Sequence, residues 1–95
     1  MRVSNRTAYI VSNISVRVEN HQGLWIDEWV VPEIQPDETT DYNDFVIEWE
    51  MIMTDWVGYL SGSYQTTGQT TSVWLNPAPY FFFTLVIDDD GYHKE

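Results

Sequence analysis

The chain has no cysteine, which excludes a disulfide framework and any Cys-ligated zinc or iron–sulfur centre. Basic residues are nearly absent: four Lys and Arg stand against 15 Asp and Glu, for a formal net charge of −11. The bases are Arg2, Arg6, Arg17 and Lys94, so the segment from Val18 to His93 carries no Lys or Arg. Direct binding of a phosphate backbone needs such cations to release counterions, so nucleic acid is excluded as a ligand for most of the surface. Docking on anionic lipid is disfavoured for the same reason. Long apolar runs are also missing. None is longer than Tyr80–Phe83, too short to span a bilayer or to form the core of a signal peptide. That favours a cytoplasmic location.

Catalytic patterns are missing as well. The chain has two histidines. His21 falls in an expected turn, and His93 near the end of the chain. Gly58-Tyr59-Leu60-Ser61-Gly62 does not match a nucleophile elbow, and no glycine-rich phosphate loop occurs. Glu48 and Glu50 could be nominated as paired carboxylates, but two acids on one strand face do not make a cleft. Asp88-Asp89-Asp90-Gly91 lacks the later glutamate of an EF-hand loop and reads as a turn, with Gly91 taking a positive φ. The expectation is a non-enzyme without cofactor or metal.

What is present is a small aromatic-rich domain. The 95 residues allow one modest core, and 43% of them are hydrophobic and 16% aromatic. Thr7 to Glu19 alternates, with Ala8, Ile10, Ile14, Val16 and Val18 on one face and Asn13, Ser15, Arg17 and Glu19 on the other. His21-Gln22-Gly23 marks a turn. Leu24 to Val31 forms a second strand, ended by Pro32. Glu33 to Thr40 is an extended acidic connection. Asp41 to Trp56 fits a helical stripe, but it lacks strong helix formers, and a strand is favoured. Gly58 and Gly62 mark a strand over Trp56–Gln65. Thr66-Thr67-Gly68-Gln69 is a hairpin turn, and Thr70 to Leu75 returns, with Val73 and Leu75 facing opposite to Trp74. Phe81 to Ile87 is apolar on both faces apart from Thr84 and belongs inside a sheet. Tyr92 to Glu95 reads as a tail. The fold expected is mainly β: a single-domain (1–95) antiparallel β-sandwich or barrel of about six strands, with a helix over 41–56 as the local alternative. Asn5-Arg6-Thr7 and Asn13-Ile14-Ser15 match the glycosylation acceptor pattern and are read as ordinary polar strand residues.

Ile14-Ser15-Val16-Arg17-Val18-Glu19-Asn20, Ile34-Gln35-Pro36 in the acidic connection, Gly58-Tyr59-Leu60-Ser61, and Val73-Trp74-Leu75-Asn76-Pro77 before an aromatic strand follow one another along the chain. This order resembles the actinoporin-like and aegerolysin-like β-sandwiches. The resemblance implies a sandwich with an aromatic contact face. This chain is shorter than either family and has no N-terminal amphipathic helix, so pore formation is not implied.

Two surface characters suggest function. One is acid: Asp37, Glu38, Asp41, Asp44, Glu48 and Glu50 could stand in for phosphates against a basic, nucleic-acid-binding groove of a protein partner. That is the expectation ranked first, a small inhibitor or decoy of the kind phages encode. The other is aromatic. Trp25, Trp29, Trp49, Trp56, Trp74, Tyr59, Tyr64, Tyr80 and Tyr92 exceed what one small core can bury, so some must reach the surface. Trp74 and Tyr80, the latter in the stiff segment from Asn76 to Phe81, are candidates for contact with a neutral lipid headgroup or glycan. The further alternative is a viral or structural assembly subunit, with self-association through the same aromatics. High-salt adaptation would explain the charge without giving a function.

Overall fold

The structure is a computed structural model that describes residues 1–19, 24–45, 59–75 and 82–95. It is mainly β, and no helix occurs among the described residues. The strands are β1 (Arg2–Asn5), β2 (Val11–Glu19), β3 (Trp25–Ile34), β4 (Tyr59–Thr66), β5 (Gln69–Leu75), β6 (Thr84–Asp88) and β7 (Gly91–Lys94). They form a three-stranded sheet of order β1-β6-β7 and a four-stranded sheet of order β3-β2-β4-β5. All pairs are antiparallel except β1 with β6, which runs parallel.

The core lies between the two sheets. Val3, Leu85 and Ile87 come from the smaller sheet; Val11, Ile14, Val16, Val18, Ile34, Leu60, Tyr64 and Val73 come from the larger. Val86 is as buried as its neighbours but stands outside this cluster. Side chains alternate along a strand, so β6 is covered on both faces. That matches the apolar run over 85–87 and the strand's central place in the sheet, but the strand begins at Thr84 rather than Phe81, and Phe82 before it is exposed. Burial also pushes the Tyr64 phenol above its ordinary pKa, against a smaller opposing effect of a hydrogen bond to Thr71.

The first strand expected, Thr7–Glu19, is shorter in fact, and its alternation changes phase. Val11 is fully buried and Ile10 is exposed, while Ile14, Val16 and Val18 face the core as expected. The cause is a bulge. Ser12 pairs with Gln65 and Ser15 with Ser63, so β2 takes one more residue than β4 between these pairs. Asn13 sits in the bulge with φ 50, a left-handed conformation that asparagine tolerates. The extra residue moves the inward position from odd to even numbers.

Three other boundaries differ from expectation. Pro32 does not end the second strand, because β3 continues to the fully buried Ile34. β3 is a sheet edge, and the register with β2 skips the Asn13–Pro32 position, so the missing N–H breaks no ladder bond there. Residues 92–95 are not a tail: β7 returns along β6, and Glu95 and Thr84 exchange backbone hydrogen bonds of 2.8 and 2.9 Å. Arg2–Asn5 is a strand that alternation did not mark. Residues 41–45 are neither helix nor strand, and the remainder of the 41–56 segment lies outside the described residues, as does the 21–23 turn.

The β4–β5 hairpin turns where expected. Thr67 has φ 50 and Gly68 φ 81, the pair of positive values that a type I′ turn requires. A β-branched residue is strained there. Thr67→Asn should therefore stabilise the protein by about 1 kcal/mol. The check is a higher urea midpoint at unchanged slope.

Candidate functional site

Two surfaces carry the residues that the sequence singles out. The first is an acidic strap, residues 35–45. It leaves β3 through a turn in which the Glu38 N–H donates to the Gln35 carbonyl at 3.1 Å. Pro36 stands at the first central position, and Asp37 at the second has φ 62, as in a type II turn. The strap then runs along the free edge of β1. The Asn5 N–H donates to the Glu38 carbonyl (2.9 Å) and the Asp37 N–H to the Asn5 carbonyl (2.8 Å). Thr40 N–H donates to the Val3 carbonyl (2.9 Å) and Asn43 N–H to the Met1 carbonyl (2.8 Å). Side chains add to this: the Thr40 hydroxyl accepts from the Val3 N–H (3.0 Å), and the Thr39 hydroxyl donates to that of Ser4 (2.9 Å). At the far end, Phe45 meets Trp29 edge to face, with centroids 6.4 Å apart. The strap thus covers a strand edge that would otherwise be open for pairing.

Because the backbone and the threonines make these bonds, the acids are left outside. Asp37, Glu38, Asp41 and Asp44 are all exposed. The structure therefore brings four of the six expected acidic residues onto one rigid segment. Glu48 and Glu50 lie outside the described residues. Cations meet the strap at its far part: the Met1 ammonium donates to the Asn43 carbonyl at 3.1 Å, the Arg2 guanidinium lies 4.8 Å from the Tyr42 ring centroid, and Tyr42 stacks on Phe82 at 4.8 Å with planes 5° apart.

The strap depends on Asn5, which in the sequence stands out only as part of a glycosylation acceptor triplet. Asn5 is completely buried. Its Nδ2 donates to the carbonyls of Tyr9 (2.8 Å) and Ile34 (3.0 Å). Its Oδ1 accepts from the Thr7 N–H (2.9 Å) and hydroxyl (2.8 Å). All four side-chain hydrogen-bonding positions are filled, so the amide is a structural hub with no room for a glycan in the folded protein. A buried, saturated asparagine has no signature in a single sequence.

The second surface is the outer face of the four-stranded sheet. The pairings set Arg17, Ser61 and Trp74 in one row across β2, β4 and β5, and Ser15, Ser63 and Ser72 in the next. These side chains, with Gly62, Thr70 and Val73, line an open groove of about 540 Å3. Trp74 is 58% exposed and stacks on Tyr59, with centroids 5.2 Å apart. Its backbone is tied to Tyr92, whose hydroxyl accepts from the Trp74 N–H at 3.1 Å. The Arg17 Nε lies 3.4 Å from a Glu28 oxygen, and the Ser61 hydroxyl donates to Glu19 at 3.3 Å. Tyr80, the other expected aromatic contact, lies outside the described residues, as do Trp49, Trp56, the 76–81 segment and the side chain of Trp25.

The Asp88-Asp89-Asp90-Gly91 segment forms the turn between β6 and β7. Asp88 accepts from the Asp90 N–H (2.9 Å) and lies 3.3 Å from His93, which closes the β6–β7 turn. Gly91 has φ 125 there. No group of three or more His, Asp or Glu is placed to hold a metal among the described residues. Arg6 meets Glu95 through two bonds of 2.9 Å, which hold the Glu95 carboxyl below its usual range. No helix among the described residues is long and apolar enough to cross a membrane.

Comparison with protein-family models, with curated proteins and with solved structures finds no match. The actinoporin-like and aegerolysin-like resemblance therefore carries no further argument.

Proposed function

We propose that this protein is a non-enzymatic acidic binding protein that occupies a basic, nucleic-acid-binding surface on a protein partner, as a small inhibitor or decoy. The observation that supports this reading is the strap: four exposed carboxylates on a segment held by backbone bonds along β1. Charges carried on a backbone already held in place cost less ordering on binding than charges on a loose segment. They steer encounter with a positive surface and reject nucleic acid itself. Carboxylates on a rigid edge can also take the places that phosphates would occupy in a basic groove.

The test is capture from a lysate on immobilised protein, eluted with a salt gradient. The wild type should retain basic nucleic-acid-binding proteins and release them as salt rises. A D37N/E38Q/D41N/D44N variant should release the same proteins at distinctly lower salt. Equal elution from both would show that the strap is not the contact.

A further inference from the structure

We infer that the outer groove of the four-stranded sheet is a binding site for a neutral oligosaccharide, received against Trp74. The inference is independent of the acidic strap, which lies along the other sheet.

The groove owes its depth to small side chains. Ser15, Ser61, Ser63 and Ser72 form its floor with Gly62, and the larger Arg17 and Trp74 stand in one row at its side. A cavity of about 540 Å3 is within the usual range for small-ligand sites. The floor offers hydroxyls, each able to donate and accept. Arg17 beside Glu28, and Glu19 beside Ser61, add charged donors and acceptors next to it. Vicinal hydroxyls of a sugar are matched by such mixed donor–acceptor sets.

Trp74 supplies the other half of the chemistry. A pyranose ring has an apolar C–H face, and an exposed indole is its usual complement. Tyr59 stacks against the indole, and Tyr92 holds the backbone beneath it. The platform is therefore rigid, and little ordering is needed when a ring lands on it.

Charge selects the class of ligand. The segment from Trp56 to Ile87 contains no Asp, Glu, Lys or Arg, although the chain as a whole carries −11. It contributes both β4 and β5. Anionic ligands are repelled by the molecule as a whole. A quaternary ammonium group would need several rings around it. The hydroxyl-lined groove, in which Arg17 is balanced by Glu28, suits a sugar against its aromatic wall better than either.

The test is a ¹H–¹⁵N titration of the full chain with cellohexaose, maltohexaose and tetra-N-acetylchitotetraose, each to about 10 mM, a range that detects millimolar binding. At least one should shift the Trp74 indole and the amides of Ser61, Ser63 and Ser72. The affinity should not change with salt. Trp74→Ala removes the platform, and Ser63→Leu fills the floor while leaving Trp74 in place. Each should weaken binding about tenfold or more, with the rest of the spectrum preserved as a check on folding. The D37N/E38Q/D41N/D44N variant should bind the sugar as the wild type does. Absence of shifts with all three sugars would overturn the inference. So would shifts that persist in both groove variants.

Discussion

Asn5→Ala should lower stability by about 3 kcal/mol, seen as a fall of roughly 15 °C in the thermal midpoint. The substitution leaves the Ile34 carbonyl and the Thr7 N–H without the partners that Asn5 gave them, in a place closed to water. The Tyr9 carbonyl is not orphaned, because the Thr7 hydroxyl, released from Asn5 Oδ1, can donate its one proton to it at 2.9 Å. Each orphaned buried group costs about 1–3 kcal/mol, and the vacated volume adds to this. Asn5→Asp separates hydrogen bonding from volume. It keeps the shape, but it replaces the Nδ2 donor with an oxygen facing two carbonyls and places a charge in the core. It should cost at least as much as alanine. The strap should loosen too, because Asn5 joins it through both its N–H and its carbonyl. Faster amide exchange at Asp37 in the aspartate variant would show this. A change under about 1 kcal/mol in both variants would mean that the hub is dispensable.

Gly62→Ala should be comparably severe. Gly62 sits mid-strand in β4, between Val16 of β2 and Val73 of β5. A Cβ built there would lie 1.8 Å from the Ser15 carbonyl oxygen and 3.0 Å from the Val16 Cα. Both are backbone atoms of a central strand, so no side chain can turn aside. The close approach lies just past the bulge of β2 at Asn13, and a glycine is what lets a neighbouring backbone come so near. Relief requires the two central strands of the larger sheet to part, at about 3 kcal/mol or more. The expected result is a large drop in urea midpoint, with a loss of near-UV tryptophan signal. A stability within about 0.5 kcal/mol of wild type would mean that the bulge yields easily.

These two residues show where a single sequence stops being informative. The β2 alternation could be read from Ile14 onward because those side chains face one core. The phase change at Asn13 left only a faint signal, the spacing of three between Val11 and Ile14 around a residue that accepts positive φ. The β4–β5 hairpin was legible because Thr67-Gly68 is local turn chemistry, and β6 because an apolar strand must be covered twice. β1 was not legible. It is four residues long with one aliphatic side chain, and its partners are 84–87 and the strap, far away in sequence. The acids of the candidate site could be named from composition. That four of them share one rigid edge depends on bonds from β1 that no local pattern announces. The Trp74 groove combines both cases: the exposed tryptophan follows from alternation, whereas the serine floor appears only when three strands are set in register.

The most direct measurement of the proposed function uses a basic partner obtained by salt-gradient capture. That partner is bound to a fluorescein-labelled DNA duplex, and this protein is titrated in while anisotropy is followed. The account predicts that wild-type protein displaces the duplex fully, in proportion to its occupancy of the partner, and that the D37N/E38Q/D41N/D44N variant does so only at much higher concentration. A stable ternary complex, with the duplex still bound at saturating wild-type protein, would contradict it.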